Sequence, residues 1–456
     1  MMGPRQVEQG AVFYEFSLDT HVPADHLLRA IDRFVDLSNL RRDLAPFYAS
    51  TGRPSVDPEP MIRMLLIGYC LGIRSERRLC EEVHLNLAYR WFCRLGLDGR
   101  VPDHSTFSKN RHGRFRDSDL LRRLFEATVE RCMAEGLVGG EGFAIDGSMI
   151  VADAHRQRGV ADASGLDPKA SRAVDEYFAT LDAAAFGAAT PVEPKFMSPV
   201  DPAARWTASW GGPAVYSYCI NYLVDVQHAV IVDVEPSTAV RQAEVTAAKT
   251  MLERSQNQHA LWPERLIADT GYGSAEMLGW LVYERGIEPH IPVFDNSKRK
   301  DGTFSRSDFA YNCHTDTYSC PAGKSLRQRQ KVYRKPISLV DEDGMLRYRA
   351  SKLDCEACAL KQRCCPNTSA RKIPRSIFEG ARDMARDIAK TEAYKTSRRE
   401  RKKVEMLFAH LKRILKLARL RLRGPNGARD EFHLAATAQN LRKLAKLIPM
   451  QAPAAA

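Results

Sequence analysis

In LLRAIDRFV, apolar residues at positions 27, 28, 31, 34 and 35 fall on one side of a helix, the spacing of a segment that packs one face against a core. Asp57-Pro58 sets a capping side chain before a first-turn proline and opens a helix predicted through Ile73. Ser75 is placed to cap the next, predicted through Trp91. In VPDHSTFSKNRHGRF, residues 101 to 115, Asp103 or Ser105 can cap a short helix carrying Lys109, Arg111 and Arg114. The helical pattern holds from residue 1 to about 135.

From residue 140 the period changes. GFAIDGSMIVADA (142 to 154) reads as a strand that ends at Asp146-Gly147 and continues irregularly. Residues 157 to 207, rich in Ala, Pro and Asp, read as a variable insertion with one helical stretch near 168 to 183. YSYCINYLVDVQHAVIVDVEPST (216 to 238) has the pattern of a two-stranded hairpin. A helix over 243 to 255, a strand in ERLIADTGYGS, a helix in SAEMLGWLVYERG and a strand in IEPHIPVF follow. Strands alternating with helices predict an α/β domain with a mixed sheet.

Two of these strands deliver a carboxylate just before a glycine, Asp146 in AIDGSMI and Asp269 in LIADTGYGS. An Asp at such a place can simply cap the turn, or it can be presented to a ligand at the edge of the sheet. A third acid changes the balance. In TSRRERKKVEMLFAHLKRILKLARLRLRG, apolar residues at 404, 407, 408, 411, 415 and 418 make one stripe, and Glu405 lies off it. At roughly 100° per residue, Arg398, Arg401, Lys412 and Lys416 all fall within about 40° of Glu405.

Charge sharpens this picture. The chain carries +12 at neutral pH. Residues 395 to 423 hold 12 Lys or Arg against two Glu, too few acids to neutralise the helix from within. A phosphate backbone is the fitting partner for such a surplus. The short helix with Lys109 and Arg111 is compatible with reading DNA by a helix-turn-helix, or with an ordinary solvated surface. Three carboxylates on two strands and a helix can hold two divalent ions, and such ions support phosphodiester chemistry.

Eleven cysteines in a chain without an apolar leader read as thiols or metal ligands rather than disulfides. CEAC, with Cys355 and Cys358, has the gap of a zinc knuckle, and SCPAG sets Cys320 before a Pro-Ala-Gly turn. With Cys364 these could close a four-thiolate zinc site, or form a reduced cluster. The longest apolar run, MIRMLLIGYCLGI, is broken by Arg63 and too short for a bilayer. The expectation is a cytoplasmic, nucleoid-associated protein with no membrane partner.

The chain resembles bacterial insertion-sequence transposases with a DDE catalytic core, most of all the family numbered eleven eighty-two and its neighbours in the insertion-sequence-five group. The resemblance covers nearly the whole chain: GRPSVDPEPMIRMLLIGYCLGIRSERRLCEEV, PDHSTFSKNR, AIDGSMI, SPVDPAARW, LIADTGYGS and RRERKKVEMLFAHLKRI. It implies an RNase H-like mixed sheet flanked by helices, a helical N-terminal DNA-binding domain and a small cysteine-rich insertion. The boundaries expected are 1–135 for the N-terminal domain, 136–300 for the first part of the catalytic domain, 301–375 for the insertion and 376–450 for the remainder with its Glu-bearing basic helix.

The resemblance implies that Asp146, Asp269 and Glu405 are the catalytic, Mg2+- or Mn2+-binding triad, holding two ions. Arg401, Glu405 and Lys412 fit the family's signature on the last helix, whereas its tyrosine position is Arg398 here and Tyr394 is out of register. The expected activity is metal-dependent cleavage at an element's inverted-repeat ends and strand transfer into target double-stranded DNA, by a homo-oligomer on DNA. The alternative is a protein that has lost catalysis and acts as a repressor or architectural factor. A zinc-dependent hydrolase is disfavoured, since all-cysteine sites are usually closed and structural.

Overall fold

A computed structural model describes residues 16–49, 51, 55–167, 171–180, 194–208, 212–295, 297–328 and 338–450. Part of the predicted insertion, residues 181–193, lies outside the described residues.

The N-terminal helices start where the capping residues predict. The Asp57 carboxylate accepts the Glu59 N–H at 3.1 Å and opens Pro58–Leu71, which closes at Gly72 with φ 72°. The segment after Ser75, predicted as one helix, is two, Glu76–Leu85 and Leu87–Phe92. Asn86 divides them: its extended backbone ends the first, and its side chain accepts the Ala88 and Tyr89 N–H groups to start the second. Asp103, rather than Ser105, caps His104–Arg111 by accepting the Ser105 N–H at 2.8 Å. Gly113 then breaks the chain, so Arg114 belongs to a separate four-residue helix.

The principal sheet is mixed, with strands β1 (Gly142–Val151), β2 (Arg205–Thr207), β3 (Val215–Asp225), β4 (Val230–Thr238), β5 (Arg265–Ile267) and β6 (Glu288–His290). Its order is β2-β3-β1-β5-β6, with β4 also beside β3. The predicted hairpin is β3 and β4, antiparallel, while β5 pairs parallel with β1 and β6.

The chain forms two compact units that are not consecutive segments. One holds residues 1–139, 147–261 and 403–456, the other 140–146 and 262–402. In the first, the Gly424–Leu447 helix is buried on all sides from Asp430 to Leu441, including Phe432, Ala435 and Ala438, and emerges in its last turns. Its polar residues are paired, as burial demands: Gln439 accepts the Tyr222 hydroxyl hydrogen bond at 2.8 Å, and Asn440 bonds the Ile231 N–H and carbonyl at 3.0 and 2.8 Å.

In the second unit, β7 (Ala310–Asn312), β8 (Thr317–Ser319) and β9 (Ser325–Leu326) form one small sheet, and β10 (Met345–Arg349) pairs with β11 (Lys372–Ser376). Here Phe309, Tyr318, Leu326, Tyr348, Ile373 and three cysteines make a small core. Among the described residues, no helix is long and apolar enough to cross a membrane.

Candidate functional site

Asp146 is not at the end of its strand. β1 runs on through Gly147 to Val151, so the glycine marks something other than a turn. A Cβ built on Gly147 would stand 2.8 Å from the Cys219 sulfur and 3.0 Å from the Asn221 side-chain oxygen. Side chains of the neighbouring strand β3 fill the space a side chain would need there.

Asp269 follows β5 by one residue, as predicted, and starts a single helical turn, Thr270–Tyr272. Its carboxylate folds back to accept the Gly271 N–H at 2.6 Å. A Cβ on Gly271 would meet that same oxygen at 2.6 Å, which is why glycine stands at 271. Asp269 therefore does cap its turn, while remaining exposed.

The two acids lie two residues beyond the last paired residues of β1 and β5, Ala144 and Ile267. β1 and β5 pair in parallel as Gly142 with Arg265, Phe143 with Leu266 and Ala144 with Ile267. Each pair is 123 residues apart, and so are Asp146 and Asp269. Adjacent strands lie about 4.8 Å apart, and paired residues of parallel strands project to the same face. The Arg401 guanidinium lies 3.5 Å from the Asp146 carboxylate, with both side chains largely buried.

Arg401 belongs to the Glu392–Arg413 helix. In one unit its first half is anchored by the buried Ser397, whose hydroxyl lies 2.8 Å from His290 Nδ1 on β6, and by Glu400, 3.5 Å from Arg265 on β5. In the other unit its second half buries Val404, Leu407, Phe408 and Leu411, and Phe408 stacks on Tyr222 with ring centroids 4.9 Å apart. Glu405 is exposed one turn after Arg401. Lys412 donates to the Ser148 hydroxyl at 2.8 Å, and burial pulls its pKa down. Arg398 is exposed.

Lys416 is not on this helix, contrary to the periodicity. The helix stops at Arg413, the Leu417 N–H bonds the Leu411 carbonyl six residues back, and Lys416 has φ 56°. That is a helix end closed by a left-handed residue, after which the chain runs beside β1 through a Val151–Arg419 bridge. Sequence reasoning also missed Ser148, Ser397 and His290. Ser148, two residues after Asp146 in AIDGS, was the one with a local signal.

The N-terminal basic pair separates. Lys109 is exposed, but the Arg111 side chain is only 5% exposed and pairs with Glu76 at 2.5 Å. A buried, ion-paired guanidinium is not available to a base edge, which corrects its assignment to DNA reading.

Cys320, Cys355, Cys358 and Cys364 line one small cavity, joined by Cys365 and Arg371. The Arg371 guanidinium donates to the Cys364 carbonyl at 2.9 Å. Burial, with the nearby Cys365, pushes the Cys364 thiol up to about 11. Cys313 is exposed and does not line the cavity. Among the described residues, no group of three or more His, Cys, Asp or Glu side chains is arranged to hold a metal ion.

Two family models match the chain: Transposase domain (DUF772) over residues 16–113, and Transposase DDE domain over residues 139–441. No solved structure matches it.

Proposed function

The chain belongs to the transposase DDE domain family and is a DNA transposase, and from that premise we propose that Asp146, Asp269 and Glu405 are its catalytic acids. The observation that supports this most is that Asp146 and Asp269 each stand two residues past the last pair, Ala144 and Ile267, of two adjacent parallel strands. The donor chemistry fits Mg2+ or Mn2+, which take carboxylate oxygens. A divalent ion pair there would polarise the attacking and leaving oxygens of a phosphodiester.

In this reading the α/β domain is RNase H-like, residues 1–135 bind DNA, and 301–375 are an insertion. The chain's own residues hold and orient. Asp146 fixes its negative charge on a strand and Asp269 just after one, and the Gly271 N–H holds the Asp269 carboxylate in one rotamer. Arg401 offsets the charge of Asp146, and Arg398 and Lys412 attract the DNA phosphates. No side chain serves as nucleophile. Water cuts at the inverted-repeat ends, and the freed 3′-hydroxyl attacks the target strand. Joining two ends calls for an oligomer on DNA. The chain's kinship within the family is with the insertion-sequence group its motifs resemble.

The test is nicking of a labelled fragment carrying the element's end, with Mg2+ supplied. Asp269→Asn keeps the side chain's size and its bond to Gly271. If Asp269 only caps a turn, cleavage persists and the loss is confined to stability, on the order of 1 kcal/mol. If it holds the ions, the rate falls roughly 10³-fold or more while DNA binding is kept. Wild-type cleavage by Asp269→Asn would return the chain to the alternative reading, a DNA-binding protein without catalysis.

Zinc in the cysteine cavity is a second part of the proposal, supported by Cys320, Cys355, Cys358 and Cys364 lining one cavity, and it requires the thiols to draw closer than they stand among the described residues. Metal analysis of protein purified without added zinc should find about one ion per chain, lost in Cys355→Ser. Folded, zinc-free protein would dispose of it.

A further inference from the structure

A second basic surface lies around the helix from Glu405. In the unit that holds residues 403–456, a groove of about 730 Å³ is lined by the loop Gln227–Ala229, one side of the Glu392–Arg413 helix and the last turns of Gly424–Leu447. Its charged side chains are Lys403, Arg442, Lys443 and Lys446, joined by His228 and His410, and among the described residues no Asp or Glu lines it. At roughly 100° per residue, Lys403, Leu407 and His410 stand between about 140° and 200° from Glu405 around the helix. A ligand seated here is therefore on the opposite side of the helix from that acid.

The cations are pre-set. Lys403 donates to the carbonyls of Val226 and Gln227, and Lys443 to that of His228 at 2.6 Å. Arg442 donates to the Cys70 carbonyl at 2.8 Å. An ammonium has three donors, so each lysine keeps at least one for a ligand oxygen. Burial brings Lys443 down to about 8, with repulsion from Lys446 and Lys403 adding to it. Clustered, held cations with no acid among them are a surface that an anion relaxes. The same lining includes Leu27, Met406, Leu407 and Leu447, of which Met406 is 69% exposed. A lining that mixes cations with apolar surface suits a backbone of phosphates and deoxyriboses.

We propose that this groove binds the backbone of duplex DNA, as a second DNA-contact surface distinct from the one that presents Glu405. The proposal rests on the chain being a DNA transposase, not on the assignment of the catalytic acids. The main-chain carbonyls at the rim are taken up by lysines, which leaves side-chain cations as the recognising groups and favours phosphates over an extended acidic peptide.

The test uses the full chain. Binding to a labelled random duplex about 40 base pairs long is followed by fluorescence anisotropy across a salt series. In Lys403→Gln/Arg442→Gln/Lys446→Gln the log-log salt slope should fall by about two to three units, and affinity at physiological salt by about tenfold or more. Met406→Glu/Lys446→Glu, with both changes at exposed positions, guards against misfolding of the first variant and should weaken binding in the same direction with an unchanged melting temperature. The readout is DNA binding rather than nicking, so a failed catalytic assignment leaves this result untouched. An unchanged slope in the Met406→Glu/Lys446→Glu protein would overturn the proposal. So would loss of binding to poly-glutamate with DNA binding intact, which would assign the groove to an acidic protein segment.

Discussion

One side of the Glu392–Arg413 helix carries Arg398, Arg401, Glu405 and Lys412, with Asp146 and Ser148 reached by Arg401 and Lys412. The side that carries Lys403 and His410 opens on a groove with no acid among its described lining. Both sides are basic, yet they suit different tasks. Bases mixed with carboxylates hold opposite charges close together, an arrangement that can seat cations and phosphates at once. Bases without carboxylates can only attract anions, and their contribution is to affinity and its salt dependence. The net charge of a helix does not distinguish these cases; the sign of the neighbours does.

The largest test of this contrast is kinetic. Asp269→Asn should lose roughly 10³-fold in nicking rate, with the salt slope of DNA binding unchanged. A variant that lost binding and cleavage together would erase the distinction between the two sides.

Gly147→Ala comes next. Its new methyl would press on Cys219 and Asn221, and overpacking of this kind costs about 1–3 kcal/mol. Thermal melting should show the loss, and nicking should fall as Asp146 shifts, while the groove still binds random duplex. Unaltered melting would mean that β1 and β3 have slack beside the acid.

A smaller effect concerns pH. Facing Lys443 are Lys403, Lys446, Arg442, His410, His228 and Cys132. Below about 8 Lys443 is charged, and as pH rises through that value its attraction for phosphate is lost. Between pH 7 and pH 9 the salt slope should drop by about one unit, and Lys443→Gln should remove that drop. Because the folded pKa lies below the unfolded one, the native state releases this proton first, so folding stability should rise between pH 8 and about 10.5. A pH-independent slope would show that Lys443 does not meet DNA.

The smallest effect is expected at Lys109. It is exposed, so Lys109→Ala should leave stability within about 0.5 kcal/mol and lower the salt slope by one unit at most. Arg111→Ala should instead be visible in melting, since it leaves the Glu76 carboxylate without its buried partner. Equal effects of the two changes would contradict their separation.

Much of this molecule follows from local chemistry. Asp57, Ser75 and Asp103 each open the helix they precede, because a cap needs only its own side chain and the next N–H groups. The hairpin of β3 and β4 follows from alternating Val, Ile and Tyr around a short turn. Asp269 was legible as a strand-end acid for the same reason, and so was the buried stripe of Val404, Leu407, Phe408 and Leu411.

Tertiary structure decided the rest. That Asp146 and Asp269 each follow the last pair of the same two strands depends on the register of segments distant along the chain, and nothing in either strand specifies its partner. Gly147 looked like a turn because a glycine's two uses, freedom of φ and absence of Cβ, are indistinguishable until the neighbour Cys219 is in place. Periodicity carried Lys416 onto a helix that ends at Arg413, since a side-chain pattern does not record where packing turns the backbone. Arg111 and Lys109 are the same kind of residue in one short helix, and only the position of Glu76 made one an internal tie. The groove draws on Leu27, Gln227–Ala229 and two helices far apart in the sequence. Charge along a chain is a local property, but the absence of a countercharge is a property of three-dimensional neighbours.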